Sequence, residues 1–259
     1  MLSFLFKKKE TTAQEQTQIP KEEFEEISLI GNYFYALCGI TFENQPSILQ
    51  SKTKSFCRAH QINSYKKLLE RVENDPQMRQ EFINYLTTNE SFFFREFAQI
   101  ESLVQKIKSE SGSTKILCAP CANGEESYSV AIALIEAGVS KERFKIYGID
   151  INSDAIENAR RGIYRQRSIK YIPEPLIKRY FTCQNERYVL SEEIKELVEL
   201  RAWNIFDEAF LKWERFDYIL SRNMLIYFDH PTKMRAKRIL ESLLIDPSKE
   251  VLFGHADLL

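Results

Sequence analysis

TKILCAPCANGEESYSVAIALIEAGVSKERFKIYGID, Thr114 to Asp150, is the stretch whose reading decides the fold. Lys115, Ile116, Leu117 and Cys118 read as a strand and Ala119 to Gly124 as a tight loop; Glu125 opens a helix, and a second strand, Phe144 to Ile149, ends on Asp150. Tyr128, Ala131, Ile132 and Ile135 recur at the i, i+3, i+4, i+7 spacing of a helix laid on a sheet. Together they make one βαβ unit, and such units place ligands at the carboxyl ends of their strands.

The loop also carries a charge argument. Dinucleotide sites spend three glycines to bring backbone against a pyrophosphate, which the helix dipole then holds. Here a single glycine, Gly124, is followed by Glu125 and Glu126 where that anion would sit. Two carboxylates repel phosphate and favour a ligand that carries an ammonium or sulfonium. Asp150, at the end of the second strand, is placed to accept hydrogen bonds from ribose hydroxyls. S-adenosylmethionine, a nucleoside with a cationic tail, meets both demands. Glutamates in a first helical turn also suit the dipole of any helix, so this loop by itself leaves a cofactor site and plain helix stabilisation both open.

Outside this stretch, composition sets bounds. The 259 residues are 44% hydrophobic, enough for a substantial core and one or two domains. A formal net charge of -1 gives no global attraction to nucleic acid, so any basic function must come from a local patch. No apolar run approaches the roughly 18 residues that cross a bilayer, and Met1 to Phe6 is too short for a signal peptide. The expected location is the cytoplasm. Five cysteines, an odd number, argue for reduced thiols. Cys118 and Cys121 form a CxxC, but no second pair or paired histidines complete a tetrahedral site, so packing is the expected role and no metal is expected.

Residues up to about Pro20 are polar and expected to be disordered. From Lys21 to about Leu86 the pattern is helical: Ile27, Ile30, Phe34 and Leu37 share a face, Gly39 stops the helix, and Pro46 and Pro76 punctuate the remainder of this region. Within it Lys52, Lys54, Arg58, Lys66 and Lys67 lie close in sequence, and Lys54 and Arg58, four apart, are neighbours on a helix. In Thr87 to Glu96, turn-forming residues precede Phe92, Phe93 and Phe94, which want burial and fix Arg95 beside them. Phe97, Ile100, Val104 and Ile107 continue as an amphipathic helix. After Asp150 come a helix stopped by Gly162, an antiparallel insertion, a strand ending before Asn204, a strand (Phe216 to Leu220) followed by Ser221, Arg222 and Asn223, a helix, and a last strand (Glu250 to Phe253). Strands alternating with helices give a doubly wound α/β sheet.

Four segments resemble the CheR-type chemotaxis receptor methyltransferases: Thr87 to Glu96, Ala119 to Ser129, Asp150 to Asn152 with Ala159 to Tyr164, and Ser221 to Phe228. They occur in the family's order and at closely similar spacing. The resemblance implies a Rossmann-like class I methyltransferase sheet. Together with the composition and periodicity above, the expected organisation is a disordered tail (1–20), an N-terminal helical domain (21–86), a linker and linking helix (87–112), and a methyltransferase domain (113–259) with a short β insertion at about 182–200. The resemblance also implies methyl transfer from S-adenosylmethionine to glutamate side chains on the cytoplasmic helices of bacterial chemoreceptors, leaving S-adenosylhomocysteine. Carried over position by position, Asn89, Ser91, Arg95, Gly124, Glu126, Asp150, Asn204, Ile205, Arg222 and Asn223 fall on the cofactor side, and Arg95 and Tyr227 at the reacting centre. Lys52, Lys54 and Arg58 become a docking surface for acidic receptor helices. A monomer is expected, with no nucleic-acid partner and no insertion into the membrane.

Departures from the family pattern are Asp246-Pro247-Ser248-Lys249 in place of Pro-Gly-Gly, and Gly254-His255-Ala256-Asp257 in place of Gly-His-Ser-Glu. The sequence given stops at Leu259, before the position of the family's final antiparallel strand, so an exposed or differently covered distal sheet edge is expected. None of these changes is expected to touch the cofactor site. The insertion lacks the glycine-containing loop of members that capture a receptor tether, so tether-independent binding is expected. Two other classes stay in view: a non-catalytic module that binds S-adenosylmethionine or its product and signals by protein contact, and a methyltransferase for another substrate. The first would need neither Arg95 nor Tyr227. Against nucleic-acid amino groups, no Asn/Asp-Pro-Pro-aromatic run follows the fourth strand of the sheet.

Overall fold

The computed structural model describes residues 26–258; the expected tail at 1–20 lies outside them. Four helices come first: α1 (Ile27–Cys38), α2 (Pro46–Ala59), α3 (Tyr65–Asn74) and α4 (Pro76–Leu86). Both prolines that read as punctuation are first residues of helices, where a missing N–H costs nothing and φ is already helical. Asp75 caps α4 by accepting from the Gln77 and Met78 amides, and Ser64 caps α3 by accepting from Lys67. The bundle closes on Ile30, Phe34, Phe56, Leu68, Val72 and Phe82, all at most 3% exposed.

Helix α5 (Phe97–Ser109) leads into the sheet and buries Ile100, Leu103, Val104 and Ile107. Phe97, expected on that face, is 41% exposed and packs instead on the Phe94 ring, 4.8 Å away. Then follow β1 (Thr114–Cys118), α6 (Glu125–Glu136), β2 (Phe144–Asp150), α7 (Ser153–Arg161), β3 (Ile163–Arg165), α8 (Gln166–Ile169), α9 (Glu174–Tyr180), β4 (Phe181–Gln184), β5 (Arg187–Leu190) and α10 (Glu192–Lys195). The chain ends with β6 (Val198–Ala202), α11 (Glu208–Leu211), β7 (Tyr218–Ser221), α12 (His230–Ser242) and β8 (Leu252–Phe253).

The main sheet is parallel in the order β6-β2-β1-β7-β8. Successive residues of β1 serve opposite faces: Ile116 and Cys118 join the core that includes α5 and α6, and Leu117 the core that includes α12. The order turns at β1, with β2 on one side and β7 on the other, so the loop after β1 sits at the switch point where such sheets open a crevice. No helix among the described residues is long and apolar enough to cross a membrane.

A second, antiparallel sheet has the order β3-β5-β4. It begins earlier than the insertion expected at about 182–200, because the three residues of β3 are too few to show alternation. Val198–Ala202, at the end of that range, is the edge of the main sheet. Tyr164 and Phe181 from the small sheet pack edge-on against Phe93, with ring centroids 4.8 and 5.3 Å away. The linker that carries Arg95 is thereby tied to this sheet.

Candidate active site

A cavity of about 900 Å³ opens at the carboxyl ends of β1, β2, β6 and β7 and is closed on one side by the helical domain. Asn89, Ser91, Arg95, Glu126, Asp150, Asn204, Ile205, Arg222, Asn223 and Tyr227 all line it. Ten positions spread over some 140 residues therefore meet in one place.

At the inner end Asp150 is 6% exposed. Its two oxygens accept from the amides of Ala122 and Asn152, each at 2.9 Å. Burial pushes its carboxyl up to about 6 against these hydrogen bonds. Each oxygen keeps a second lone pair, which is what a vicinal diol requires. Glu126 pairs with the Arg222 guanidinium through Oε2, while Oε1 is buried without a partner. Arg222 Nη1 donates to the Arg95 carbonyl at 2.6 Å, and the Asn223 side-chain oxygen is a second buried acceptor without a donor. Two orphaned acceptors on one cavity wall call for a ligand that brings N–H donors.

At the outer end the Arg95 guanidinium lies over the Phe92 ring, 5.5 Å from its centroid. Tyr227 is 38% exposed, and its carbonyl accepts from the Thr41 amide of the helical domain at 3.0 Å. Burial pushes its phenol up, and the Arg95 charge pulls in the other direction, so the two side chains act on one another. The backbone around the cavity is unusual: Phe94, Glu96, Ala122 and Asn223 have φ of 59°, 47°, 48° and 62°. Left-handed backbone at non-glycine residues costs energy and gathers where a site fixes it.

A family profile described as "CheR methyltransferase, SAM binding domain" matches residues 89–259, and one described as "CheR methyltransferase, all-alpha domain" matches residues 25–87. The chain belongs to the CheR methyltransferase family. A chemotaxis protein methyltransferase of Campylobacter jejuni is 32% identical over 86% of this chain and 84% of its own length. Chemotaxis protein methyltransferase 2 of Pseudomonas aeruginosa is 32% identical over 92% of this chain and 86% of that one. The chemotaxis protein methyltransferase of Salmonella typhimurium is 29% identical, covering 93% and 89%. The cofactor of this CheR chain is S-adenosylmethionine, and the donor set fits it. The lone acceptors at Glu126 and Asn223 suit an ammonium, Asp150 suits the ribose, and Ile151 and Ile205 offer apolar wall to a base.

The CheR site corrects the charge argument made from the loop. Only one of the two glutamates faces the cavity, and it is paired with Arg222, so the pocket is not simply anionic. What Glu126 offers is one unpaired oxygen. Glu125 is 2% exposed and turned away. Its Oε1 accepts from Ser168 Oγ at 3.2 Å, and burial pushes its carboxyl up to about 7.

Three expected positions have other duties. Gly124 does not line the cavity; its φ is +86°, and a Cβ there would stand 2.6 Å from the Tyr128 ring and 2.9 Å from Ala159. It is glycine so that α6 can start against α7. Asn204 lines the cavity, but its amide donates to the Leu37 carbonyl at 2.9 Å and its oxygen accepts from Phe206 at 3.0 Å. That side chain is a strut between domains. Lys52 reaches inward to the Leu86 carbonyl at 3.0 Å and lines the cavity, and burial lowers its ammonium. It stands about 200° around α2 from Lys54, so the expected basic face is split. Lys54 and Arg58, about 40° apart, remain on the outer side, half-exposed and exposed.

Other supporting residues escaped the sequence. The Phe94 amide donates to Ser129 Oγ at 2.9 Å, and Ser129 Oγ donates to the Glu125 carbonyl at 2.5 Å. The Phe93 amide donates to the Ser168 carbonyl at 2.8 Å. Glu125 thus anchors the loop that presents Arg95. Asp257, 3% exposed, accepts from the amides of Asn223 and Leu225. The altered Gly254 to Asp257 segment therefore does reach the cofactor site, through the backbone of Asn223. The CxxC thiols are buried, and burial pushes both up, as packing groups would be.

Proposed function

We propose that this protein methylates glutamate side chains on the cytoplasmic helices of chemoreceptors, forming glutamyl methyl esters. When bound, S-adenosylmethionine supplies an electrophilic methyl group on a sulfonium. A glutamate side chain, with an ordinary pKa near ~4.3, is already a nucleophile at neutral pH, so no general base is needed. The demand on the protein is alignment and partial exclusion of water.

The observation that carries this reading is a guanidinium, Arg95, without an acidic partner among the described residues, lining the same cavity as Glu126 and Asp150. Arg95 receives the incoming carboxylate through paired N–H donors, and the Tyr227 hydroxyl, which stays protonated at neutral pH, donates to its second oxygen. Glu126, Asn223 and Asp150 hold the donor by its amino and ribose groups. Arg222 ties the two ends together, since it neutralises Glu126 and holds the Arg95 carbonyl. A non-catalytic module would have no use for Arg95 and Tyr227 converging at one mouth. Lys54 and Arg58 dock the acidic receptor helix, and the protein works as a cytoplasmic monomer.

The test is to incubate the protein with methyl-labelled cofactor and receptor-containing membranes and to collect methanol after base treatment. Label that is volatile after alkali is the expected result; base-stable label or none contradicts glutamate esterification.

A further inference from the structure

Lys170 follows α8 on the surface and has no part in the site described above. Its ammonium stands over two rings, 5.2 Å from the centroid of Phe92 and 4.6 Å from that of Tyr171. The rings are 5.0 Å apart, and Phe92 lines the cavity. Arg95 uses the same Phe92 ring at 5.5 Å, so the two cations lie at most twice that distance from one another. Among the described residues neither has a carboxylate in ion-pair reach.

The surroundings reinforce the charge. Arg161, Arg165 and Arg167 lie on the chain leading to Lys170, while Arg160 is paired with Glu157. Glu43, Glu90 and Asp229 line the same cavity, and Glu90 bears on Tyr227, so the attraction for an anion is local to the Phe92 ring, where Arg95 and Lys170 stand. Tyr171 is 56% exposed, a large aromatic left in water beside an unpaired cation. Such a ring offers apolar contact to a partner and costs little to order. Two cations on one ring, one of them lining the cavity, offer separate points for two carboxylates carried on one acidic helix, where side chains three or four residues apart are neighbours.

We propose that Lys170, with the rings of Phe92 and Tyr171, is a second carboxylate-recognition point. It holds an acidic side chain of the protein substrate that neighbours the one Arg95 presents to the methyl donor. The inference rests on the glutamate-methylation reading and adds a docking surface to it, on the side of the mouth formed by α8 and the linker. It acts on substrate affinity and leaves cofactor binding alone.

Lys170→Glu, Lys170→Gln and Lys170→Arg are compared with Lys212→Glu, a reversal of equal charge at an exposed lysine that already pairs with Glu208. For each full-length protein, binding of a purified receptor cytoplasmic fragment is read by anisotropy, cofactor affinity by calorimetry with S-adenosylhomocysteine, and methylation by KM for the fragment. Lys170→Gln should raise the fragment's Kd and KM about fivefold and Lys170→Glu at least about tenfold. Lys170→Arg should restore both, and all four should bind S-adenosylhomocysteine like the wild type. Lys170→Glu indistinguishable from Lys212→Glu, while the wild type makes base-labile esters, overturns the docking point and spares the proposed function. Fragment binding that depends on Lys170 without any ester sinks the proposed function and spares the docking point. A wild type that neither binds nor methylates the fragment overturns both.

Discussion

The two ends of the cavity are built differently. At the cofactor end every charged group is locked before any ligand arrives: Asp150 by two backbone amides, Glu126 by Arg222, and Arg222 by the Arg95 carbonyl. Exposure there is 5–7%. At the reacting end, Arg95 has a ring for support and Tyr227 is 38% exposed. A rigid end suits a small ligand of fixed shape, because little ordering remains to oppose binding. An open end suits a carboxylate carried on a partner's helix, which brings its own surface to finish the site. Binding and turnover are thus assigned to separate residues, and that separation can be attacked experimentally.

The largest effect should come from the locked end. Arg222→Ala leaves Glu126 as a buried charge without its partner, a change that costs about 3–5 kcal/mol. Urea melts should show that loss, and calorimetry should show S-adenosylhomocysteine binding falling with it. A variant as stable as the wild type would mean the ion pair is not what fixes this wall.

Next comes Glu125, the anchor beneath the Arg95 loop. Its carboxyl lies at about 7 when folded against an ordinary 4.5. A carboxyl raised in this way favours the folded state at low pH, fully below its unfolded value, and that contribution is lost as pH rises through the folded value. Wild-type stability should therefore drop between about pH 4.5 and 7. Glu125→Gln keeps the acceptor for Ser168 without the charge, and at about 1.4 kcal/mol per pH unit it should gain up to about 3 kcal/mol at pH 8. The slope that survives in this variant belongs to Asp150, raised from 3.8 to about 6 for the same reason, and to Asp257, whose carboxyl burial also pushes up. Identical pH–stability curves for the two proteins would rule out a buried, titrating Glu125.

At the open end, Arg95→Ala should slow methylation about 100-fold while its melting temperature and S-adenosylhomocysteine affinity stay near wild type. Loss of cofactor affinity in proportion would show that the two ends are not separable. The smallest effect is expected farthest out: reversing Lys54 and Arg58 together should raise KM for receptor about fivefold, more at low salt than at high, and leave cofactor affinity alone.

The same contrast shows what a sequence can disclose. The βαβ unit and the strand ends were legible, because burial on a sheet imposes a period and the ligand side follows from strand direction. Which of Glu125 and Glu126 faces the cavity depends on how α6 is rolled onto β2, and adjacent helical residues differ by about 100° without any mark in composition. Asn204 read as a cofactor residue because its position is right, and its hydrogen bonds to Leu37 and Phe206 appear only once two domains are packed together. Lys52 clustered with Lys54 in sequence and sits on the other side of the helix. Asp257 looked remote from the site because 34 residues separate it from Asn223. The parallel pairing of β7 with β8 brings them together. Local periodicity was readable, and rotation and long-range contact were not.

The central claim is that Glu126 and Asp150 hold the methyl donor beside a guanidinium that receives a carboxylate. A crystal structure with S-adenosylhomocysteine tests it most directly. The amino group should lie on Glu126 Oε1, the ribose on Asp150, and the sulfur should face Arg95. A ligand seated elsewhere, or one that leaves Glu126 Oε1 without a partner and turns its sulfur away from Arg95, would contradict it.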